Sequence, residues 1–239
     1  MKNLMLAALA VALSAGMSAG QTVRIGTEGA YPPYNFINDK GEIDGYEKDL
    51  GDEICARAEL ECTWVKNDWD TMIPNLLSGN YDAFMAGMSI NEERRKSIQF
   101  SEPYLPPALS AYAALSEDAD LEGGVIAAQT GTIQASHVAE TGDVIEFATG
   151  EETIAAVRNG EADAVFADRD FLAPFVTESG GELVFVGDTI ALDEGIGMGL
   201  RPSDTELKAK VDAVIEAMKA DGSLNELIRK WFGEEALIF

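Results

Sequence analysis

A helix–glycine–strand pattern occurs twice in the chain and constrains the fold more than any other feature. Residues 73–87, IPNLLSGNYDAFMAG, resemble residues 154–168, IAAVRNGEADAVFAD, and Asp82 and Asp163 hold the same position in the two copies. Each copy predicts a helix, a glycine stop and a buried strand. Such units are common enough for coincidence to be the alternative. Taken together they favour an α/β protein of two similar lobes whose strand ends face one cleft.

The first residues predict an export signal. Lys2 supplies a positive charge, Leu4 to Leu13 an apolar core, and Ser18-Ala19-Gly20 a small-residue cleavage site. A membrane anchor is the alternative, but the apolar run is too short to span a bilayer. We expect residues 1–20 to be a signal peptide and the mature protein to be periplasmic.

The charge of the chain excludes one large class of partner. Its 17 Lys and Arg residues stand against 42 Asp and Glu residues, a formal net charge of −25. Nucleic acid is excluded because phosphate binding needs a basic face. The acidity fits attraction of cationic solutes or a saline habitat, and charge alone does not separate the two.

The only two cysteines, Cys55 and Cys62, lie on a predicted helix and on the strand after it. Export places them in an oxidising compartment, which favours a disulfide. A metal pair is the alternative, but the only histidine, His137, is distant in sequence. We therefore expect a disulfide, no metal and no cofactor.

The stretch from Gly79 to Tyr104 offers groups suited to a carboxylate. A buried strand leads to Gly87 and Ser89, and Asn91 fits the N-cap of a short helix that carries Arg94. A guanidinium binds a carboxylate with two parallel hydrogen bonds, and free backbone N–H groups add donors. A solvated, charge-paired helix start is the alternative.

Three further segments carry candidate ligand contacts, each with a structural alternative. Residues 27–36 combine Glu28 with the aromatic residues Tyr31 and Tyr34, a composition suited to a guanidinium or ammonium, although aromatic residues usually belong to a core. Residues 129–134, QTGTIQ, open a helix whose free N–H groups suit an anion, although a plain cap is the alternative. Asp168 ends a predicted strand, where a turn or cap role is usual.

The stretch DAFMAGMSINEERRKSIQFSEPY, residues 82–104, resembles the signature of periplasmic solute-binding proteins for polar amino acids. The resemblance is to the lysine/arginine/ornithine- and histidine-binding group of solute-binding protein family 3, and it covers nearly the whole mature chain. It implies the type II two-lobe periplasmic-binding-protein fold, with mixed sheets flanked by helices. It implies lobe 1 at 21–106 and 195–239, lobe 2 at 107–194, and hinge crossings near 105–109 and 187–195.

The resemblance also implies roles for residues. Arg94 and the turn around Thr132 hold the ligand carboxylate, Asp168 and Ser89 hold the ammonium, and Glu28 meets the distal cation. Aromatic rings flank the ligand chain, with Tyr31 and Trp69 sandwiching its aliphatic part. The ligand-binding set it implies is Glu28, Tyr31, Tyr34, Trp69, Ala86, Gly87, Met88, Ser89, Arg94, Gln129, Thr132, Ile133, Gln134 and Asp168.

The expected function is capture of arginine, lysine, ornithine or histidine by a monomer that serves the membrane permease of an ABC importer. Opines are an alternative ligand class, since Ala86 and Gly87 leave room for bulk. A dehydratase of the same fold, acting on prephenate or arogenate, is the alternative from another class, with Glu28 as its proton donor. No motif requires catalysis, so we expect a binding protein rather than an enzyme.

The last part of the chain predicts two core helices without ligand contacts. Ser203 and Glu206 have the spacing of a capping box, in which each side chain bonds the other's backbone. Apolar residues then follow at helical spacing, at Leu207, Val211, Val214, Ile215 and Met218.

Overall fold

The computed structural model describes residues 22–239, so the predicted signal peptide lies outside the described part of the chain. The first part of the chain alternates short strands with helices. Its elements are β1 (Thr22–Thr27), β2 (Ala30–Tyr31), β3 (Asn35–Ile37), β4 (Ile43–Asp44), α1 (Tyr46–Arg57), β5 (Glu61–Lys66), α2 (Met72–Leu77), β6 (Ala83–Phe84), α3 (Glu92–Arg95) and β7 (Gln99–Phe100).

The middle of the chain forms a second α/β unit. Its elements are β8 (Leu109–Ala114), β9 (Val125–Gln129), α4 (Ile133–Thr141), β10 (Asp143–Phe147), α5 (Gly150–Arg158), β11 (Ala164–Asp168), α6 (Arg169–Glu178) and β12 (Val184–Ala191). The chain then returns to the first unit with β13 (Gly199–Leu200), α7 (Thr205–Asp221) and α8 (Ser223–Phe232).

Two mixed five-stranded sheets form the two lobes of the α/β fold. The first has the order β5-β1-β6-β13-β7 and the second the order β10-β9-β11-β8-β12. In each sheet three strands are parallel, and the remaining strands are antiparallel to their neighbours. A small antiparallel sheet, β2-β3-β4, follows the carboxyl end of β1.

The repeated pattern has the same backbone geometry in both lobes. The amide and carboxylate of Asp82 bond Arg24 O and N at 2.8 and 3.0 Å, at the adjacent parallel strand β1. Asp163 bonds Val125 O and N at 2.8 and 2.7 Å, at the parallel strand β9. The two copies are therefore equivalent units, each fixing the start of one central strand against the next.

Two connections join the sheets, from β7 to β8 and from β12 to β13, and they run side by side. Leu105 and Ile196 form an antiparallel bridge, with Ile196 N donating to Leu105 O at 3.1 Å. The predicted crossing near 187–195 overlaps the end of β12, which includes residues 187–191, and the chain leaves the second sheet after Ala191. Gly187 looks like a turn residue in the sequence, yet this edge strand continues through it. The strand accommodates Gly187 with a register shift between Val186 and Ile190, and the φ of Gly187 is +70°.

Helix α7 buries all five apolar positions that its spacing predicts. The capping box predicted before it is wrong: the N-cap is Asp204, without a side-chain capping bond, and the Ser203 hydroxyl donates to the Asp204 carboxylate at 2.8 Å. Cys55 and Cys62 form the predicted disulfide, which ties α1 to β5. Of the helices between residues 22 and 239, none combines the length and hydropathy needed to cross a membrane.

Candidate ligand-binding cleft

Four of the predicted site residues stand at the carboxyl ends of parallel strands. Glu28 follows β1, Gly87 follows the β6 segment, and Gln129 and Asp168 end β9 and β11. In open α/β sheets the crevice outside these strand ends is where ligands bind, because the loops there converge. The two lobes turn these ends toward each other, so the four residues belong to one cleft.

Side chains of the two lobes bond directly across the cleft. Gln129 Nε2 donates to Glu28 Oε1 at 2.6 Å, and the Tyr31 hydroxyl donates to Asp168 Oδ2 at 2.9 Å. Trp69 Nε1 donates to the carbonyl of Thr130 at 2.9 Å. The predicted contacts from both lobes are therefore brought together.

Glu28 is a buried carboxylate with a free oxygen. Its side chain is 3% exposed, and Oε2 has no hydrogen-bond partner among the described residues. Burial raises the pKa of Glu28 to about 7, although the bond from Gln129 and the charge of Lys66 oppose that rise. A cation placed at Oε2 would relieve the cost of burying this charge.

Asp168 is the second buried acid of the cleft. It is 5% exposed and accepts from Tyr31 and, at 2.8 Å, from Gln134 Nε2. Gln134 also donates to the Ser110 hydroxyl at 3.0 Å, so its amide fixes the orientation of the carboxylate. Burial raises the pKa of Asp168 to about 7.

Arg94 is the cation of the cleft and points toward the turn at the start of α4. Asn91 caps its helix by accepting from Arg94 N at 2.8 Å, as predicted. The guanidinium donates to Ser89 O at 2.8 Å and Gly131 O at 3.2 Å, and it lies 5.5 Å from the Trp69 ring. Among residues 22–239 it makes no ion pair with a carboxylate within 4 Å. Burial lowers its pKa to about 10, so the group stays charged at neutral pH.

The turn at the start of α4 has the helix cap that the sequence left as the alternative to an anion site, and its anion-binding role stays a prediction. Thr132 Oγ1 accepts from Ala135 N at 3.1 Å and donates to Gln129 O at 2.7 Å. Ile133, next in the chain, is the first residue of α4 and is partly buried. The turn therefore lies beside Arg94 with its first backbone N–H groups at the positive end of the helix dipole.

The aromatic residues occupy two layers. Tyr31 stacks on Phe171, with ring centroids 4.1 Å apart, and stands at the cleft. Tyr34 is only 1% exposed, packs edge-on against Phe232 at 5.0 Å, and supports the Tyr31 ring at 5.5 Å. A ligand contact of Tyr34 stays a prediction, whereas its packing role is visible.

The residues that follow β6 pack into the first lobe, and their ligand contacts stay predictions. Ala86 and Met88 are buried in one apolar cluster with Trp69. A Cβ on Gly87 would lie 3.5 Å from the Tyr31 ring, and the φ of Gly87 is +63°, so glycine here keeps the loop against the aromatic layer.

One acid near Arg94 escaped the sequence analysis. Asp193 Oδ1 accepts from Ala108 N at 3.1 Å and Gly195 N at 3.0 Å, so it joins the two inter-lobe connections. Burial raises its pKa, and the Ser89 hydroxyl and the Arg94 charge oppose that rise. No motif marks Asp193, because its partner Ala108 is distant in sequence. Within the described residues no three His, Cys, Asp or Glu side chains are grouped to hold a metal ion.

Two α/β lobes that enclose a polar, charged cleft at their strand ends define a solute-binding protein of the two-lobe periplasmic type. The family model for bacterial extracellular solute-binding proteins, family 3, matches residues 23–234. The chain belongs to this family.

Three relatives illustrate the similarity. A crystal structure from Silicibacter pomeroyi, described as a periplasmic His/Glu/Gln/Arg/opine family-binding protein in complex with lysine, is 65% identical, with a TM-score of 0.90 over 91% of this chain and 100% of that one. The L-arginine-binding protein of Pseudomonas aeruginosa is 33% identical over 94% of this chain and 93% of its own length. ABC transporter arginine-binding protein 1 of Escherichia coli is 30% identical over 97% and 99%.

Proposed function

We propose that this protein captures a cationic L-amino acid, among arginine, lysine, ornithine and histidine, in the periplasm and delivers it to the permease of an ABC importer. Arg94 and the turn at Thr132 hold the α-carboxylate. Asp168 and Ser89 hold the α-ammonium, and Glu28 meets the distal cation. Tyr31 and Trp69 flank the aliphatic chain.

One observation carries this proposal: the buried acids Glu28 and Asp168 and the partly buried guanidinium of Arg94 face the cleft, and none of the three forms an ion pair within 4 Å among residues 22–239. Buried charges are normally paired, because desolvation is costly. A cationic amino acid carries one carboxylate and two cations, which is the complement of Arg94, Asp168 and Glu28. A neutral amino acid would leave one acid of the cleft without a partner.

The relatives support the same ligand class. The Silicibacter pomeroyi protein was crystallised with lysine, and two other relatives carry arginine in their names. These ligands belong to those proteins, and they favour lysine and arginine as the first probes for this one.

We further infer a monomer that closes by rotation of the two lobes about the paired connections. Lobe 1 comprises residues 21–106 and 195–239 and lobe 2 residues 107–194. The anchors lie on different lobes, so a ligand that contacts Arg94 and Asp168 at once favours the closed arrangement. Small-angle scattering should give a smaller radius of gyration with lysine, and an unchanged radius at saturation would contradict hinge closure.

A dehydratase is the second candidate, and the feature that favours it is the buried Glu28 carboxyl group with its unpartnered Oε2, because burial raises its pKa to about 7, which suits a general acid. An opine is the second ligand class, since the Silicibacter pomeroyi protein is described by a family name that includes opines.

A thermal-shift screen tests the proposal and its alternatives together. Arginine, lysine, ornithine and histidine should each be compared with glutamine, octopine, prephenate and arogenate. At least one cationic amino acid should raise the melting temperature most, and chromatography should recover it unchanged after prolonged incubation. Stabilisation by octopine alone would favour the opine alternative, and conversion of prephenate or arogenate would favour the enzyme.

A further inference from the structure

A buried acid outside the proposed ligand set connects the segments that form the cleft. Glu47, in the first turn of α1, is fully buried and accepts three hydrogen bonds. Oε1 accepts from Gly87 N at 2.7 Å and from the Tyr104 hydroxyl, and Oε2 accepts from Asn35 Nδ2 at 2.7 Å.

Each donor belongs to a different part of the cleft. Gly87 lies in the loop that carries Ser89. Asn35 lies in the aromatic loop, and its Oδ1 accepts from Gly29 N at 2.7 Å, directly after Glu28. Tyr104 lies at the start of the first inter-lobe connection, and its N–H donates to Ile196 O of the second at 2.8 Å. Glu47 therefore joins both first-lobe ligand loops to the hinge.

The backbone of α1 strengthens this link. The N–H groups of Tyr46 and Glu47 donate to Pro33 O at 3.0 Å and Tyr34 O at 2.9 Å. The first N–H groups of a helix have no partner within the helix, so these bonds satisfy them with the aromatic loop. Two backbone hydrogen bonds thus join the start of α1 to the aromatic loop, and the partial positive charge of the helix end favours the Glu47 carboxylate.

The network has a fixed direction. A carboxylate only accepts hydrogen bonds, so the Asn35 amide must turn its NH₂ to Glu47 and its oxygen to Gly29. A glutamine at position 47 would accept from Gly87 and Tyr104 but would face Asn35 NH₂ with its own NH₂. If Asn35 flipped, its NH₂ would face Gly29 N–H instead. A neutral amide at position 47 therefore leaves two buried N–H donors facing each other in either orientation of the Asn35 amide.

We propose that Glu47 is a positioning residue, which holds the loops of Glu28 and Ser89 at the separation that the ligand requires. The inference rests on the proposed function for its ligand. It assigns to Glu47 an effect on affinity that is transmitted through Gly87 and Asn35, without contact to the ligand.

The direction of the network supplies a test by rescue. In Glu47→Gln the equilibrium dissociation constant for L-lysine should rise about tenfold or more. In the double variant Asn35→Asp/Glu47→Gln the glutamine NH₂ donates to Asp, whose other oxygen accepts from Gly29. The double variant has its carboxylate at position 35 instead of position 47, and every hydrogen-bond donor of the network keeps an acceptor. The affinity for L-lysine should therefore return to within about threefold of wild type.

A matched control separates positioning from loss of stability. Val211→Ala removes buried volume in α7, which supplies none of the predicted ligand contacts, and should lower the melting temperature while leaving the lysine affinity within about twofold of wild type. Wild-type affinity in Glu47→Gln, or a double variant no better than the single one, would overturn the proposal.

If no amino acid binds the wild-type protein, the proposed function is refuted and the affinity test no longer applies. A measurement without ligand then tests the role of Glu47 by itself. Amide hydrogen exchange at Gly29 and Gly87 should be about tenfold faster in Glu47→Gln than in Val211→Ala, because both amides depend on this network. If Glu47→Gln does not fold, Tyr104→Phe removes one donor and should accelerate exchange at Gly87 and weaken lysine about threefold. Wild-type exchange and affinity in that variant would overturn the proposal.

Discussion

Replacing Glu28 by glutamine should stabilise the unliganded protein and weaken its binding of cations. The folded-state pKa of about 7 lies above the ordinary 4.5. The folded protein therefore holds this proton more strongly than the unfolded chain does. Ionisation of Glu28 lowers the free energy of unfolding as the pH rises from 4.5 to about 7, and the full loss of stability is present above pH 7. The difference between the two pKa values corresponds to about 3 kcal/mol.

Glutamine removes this cost but adds a smaller one. Its oxygen still accepts from Gln129 Nε2, while its NH₂ takes the place of Oε2, where no described residue offers a partner. An unpaired buried donor costs about 1–3 kcal/mol, so the net gain in the free energy of unfolding at pH 8 should lie between zero and about 2 kcal/mol. At the upper end this corresponds to a melting temperature roughly 4–8 °C higher. At pH 5 Glu28 is itself protonated, and the gain should vanish.

The same variant should lose more affinity for cationic ligands than for neutral ones. Removal of a buried charge pair should weaken lysine and arginine by about 2 kcal/mol or more, whereas glutamine should lose little or gain. Differential scanning fluorimetry at pH 5 and 8 and titration calorimetry with the three ligands measure both effects, with Glu42→Gln as the exposed control. Equal losses for all three ligands, or a stability change independent of pH, would refute the role of Glu28.

Three further predictions concern other parts of the molecule. Arg94→Ala should weaken lysine by about 2–5 kcal/mol by calorimetry, whereas Arg95→Ala, which removes an exposed ion pair with Glu194, should cost under about 1 kcal/mol; equal losses would contradict the carboxylate anchor. Lysine affinity should fall about tenfold for each acid that must ionise as the pH drops from 8 to 6, because both buried acids have pKa values of about 7; a flat profile would contradict their pairing with cations. Thiol titration of the denatured, unreduced protein should find no reactive thiol, and two titratable thiols would exclude the Cys55–Cys62 disulfide.

Much of the fold could be predicted because it depends on local pattern. The apolar spacing of α7 identified its buried face, since helical periodicity places those residues on one side. The repeated helix–glycine–strand unit predicted two α/β lobes, and Asp82 and Asp163 make matching bonds to parallel neighbours. The sequence did not identify the residues that Asp82 and Asp163 bond, because Arg24 and Val125 are distant from them along the chain.

Short polar motifs were less reliable. Ser203 and Glu206 have capping-box spacing but form no box, while Thr149 and Glu152, which the sequence analysis passed over, form one. The difference lies in where the backbone turns into the helix, and α7 begins after Asp204 instead of after Ser203. Spacing alone does not determine that boundary.

The candidate cleft was predictable where residues follow strand ends, and hidden where long-range packing decides. Glu47 reads as an ordinary acidic residue at the start of a helix, yet its three donors lie 12, 40 and 57 positions away in sequence. Asp193 reads as part of a loop, yet it bonds Ala108, 85 positions away. Neither role has a local signal, because each depends on how the two connections and the ligand loops pack together.

The most direct test of the account is the equilibrium affinity of wild-type protein for L-lysine against L-norleucine at pH 8. Norleucine keeps the α-carboxylate, the α-ammonium and an aliphatic chain but lacks the distal ammonium, so it isolates the group assigned to Glu28. A buried, otherwise unpaired carboxylate should favour lysine by about 2 kcal/mol or more, roughly 30-fold in the dissociation constant. Equal affinity for both ligands, or tighter binding of norleucine, would contradict a cleft built for a cationic amino acid.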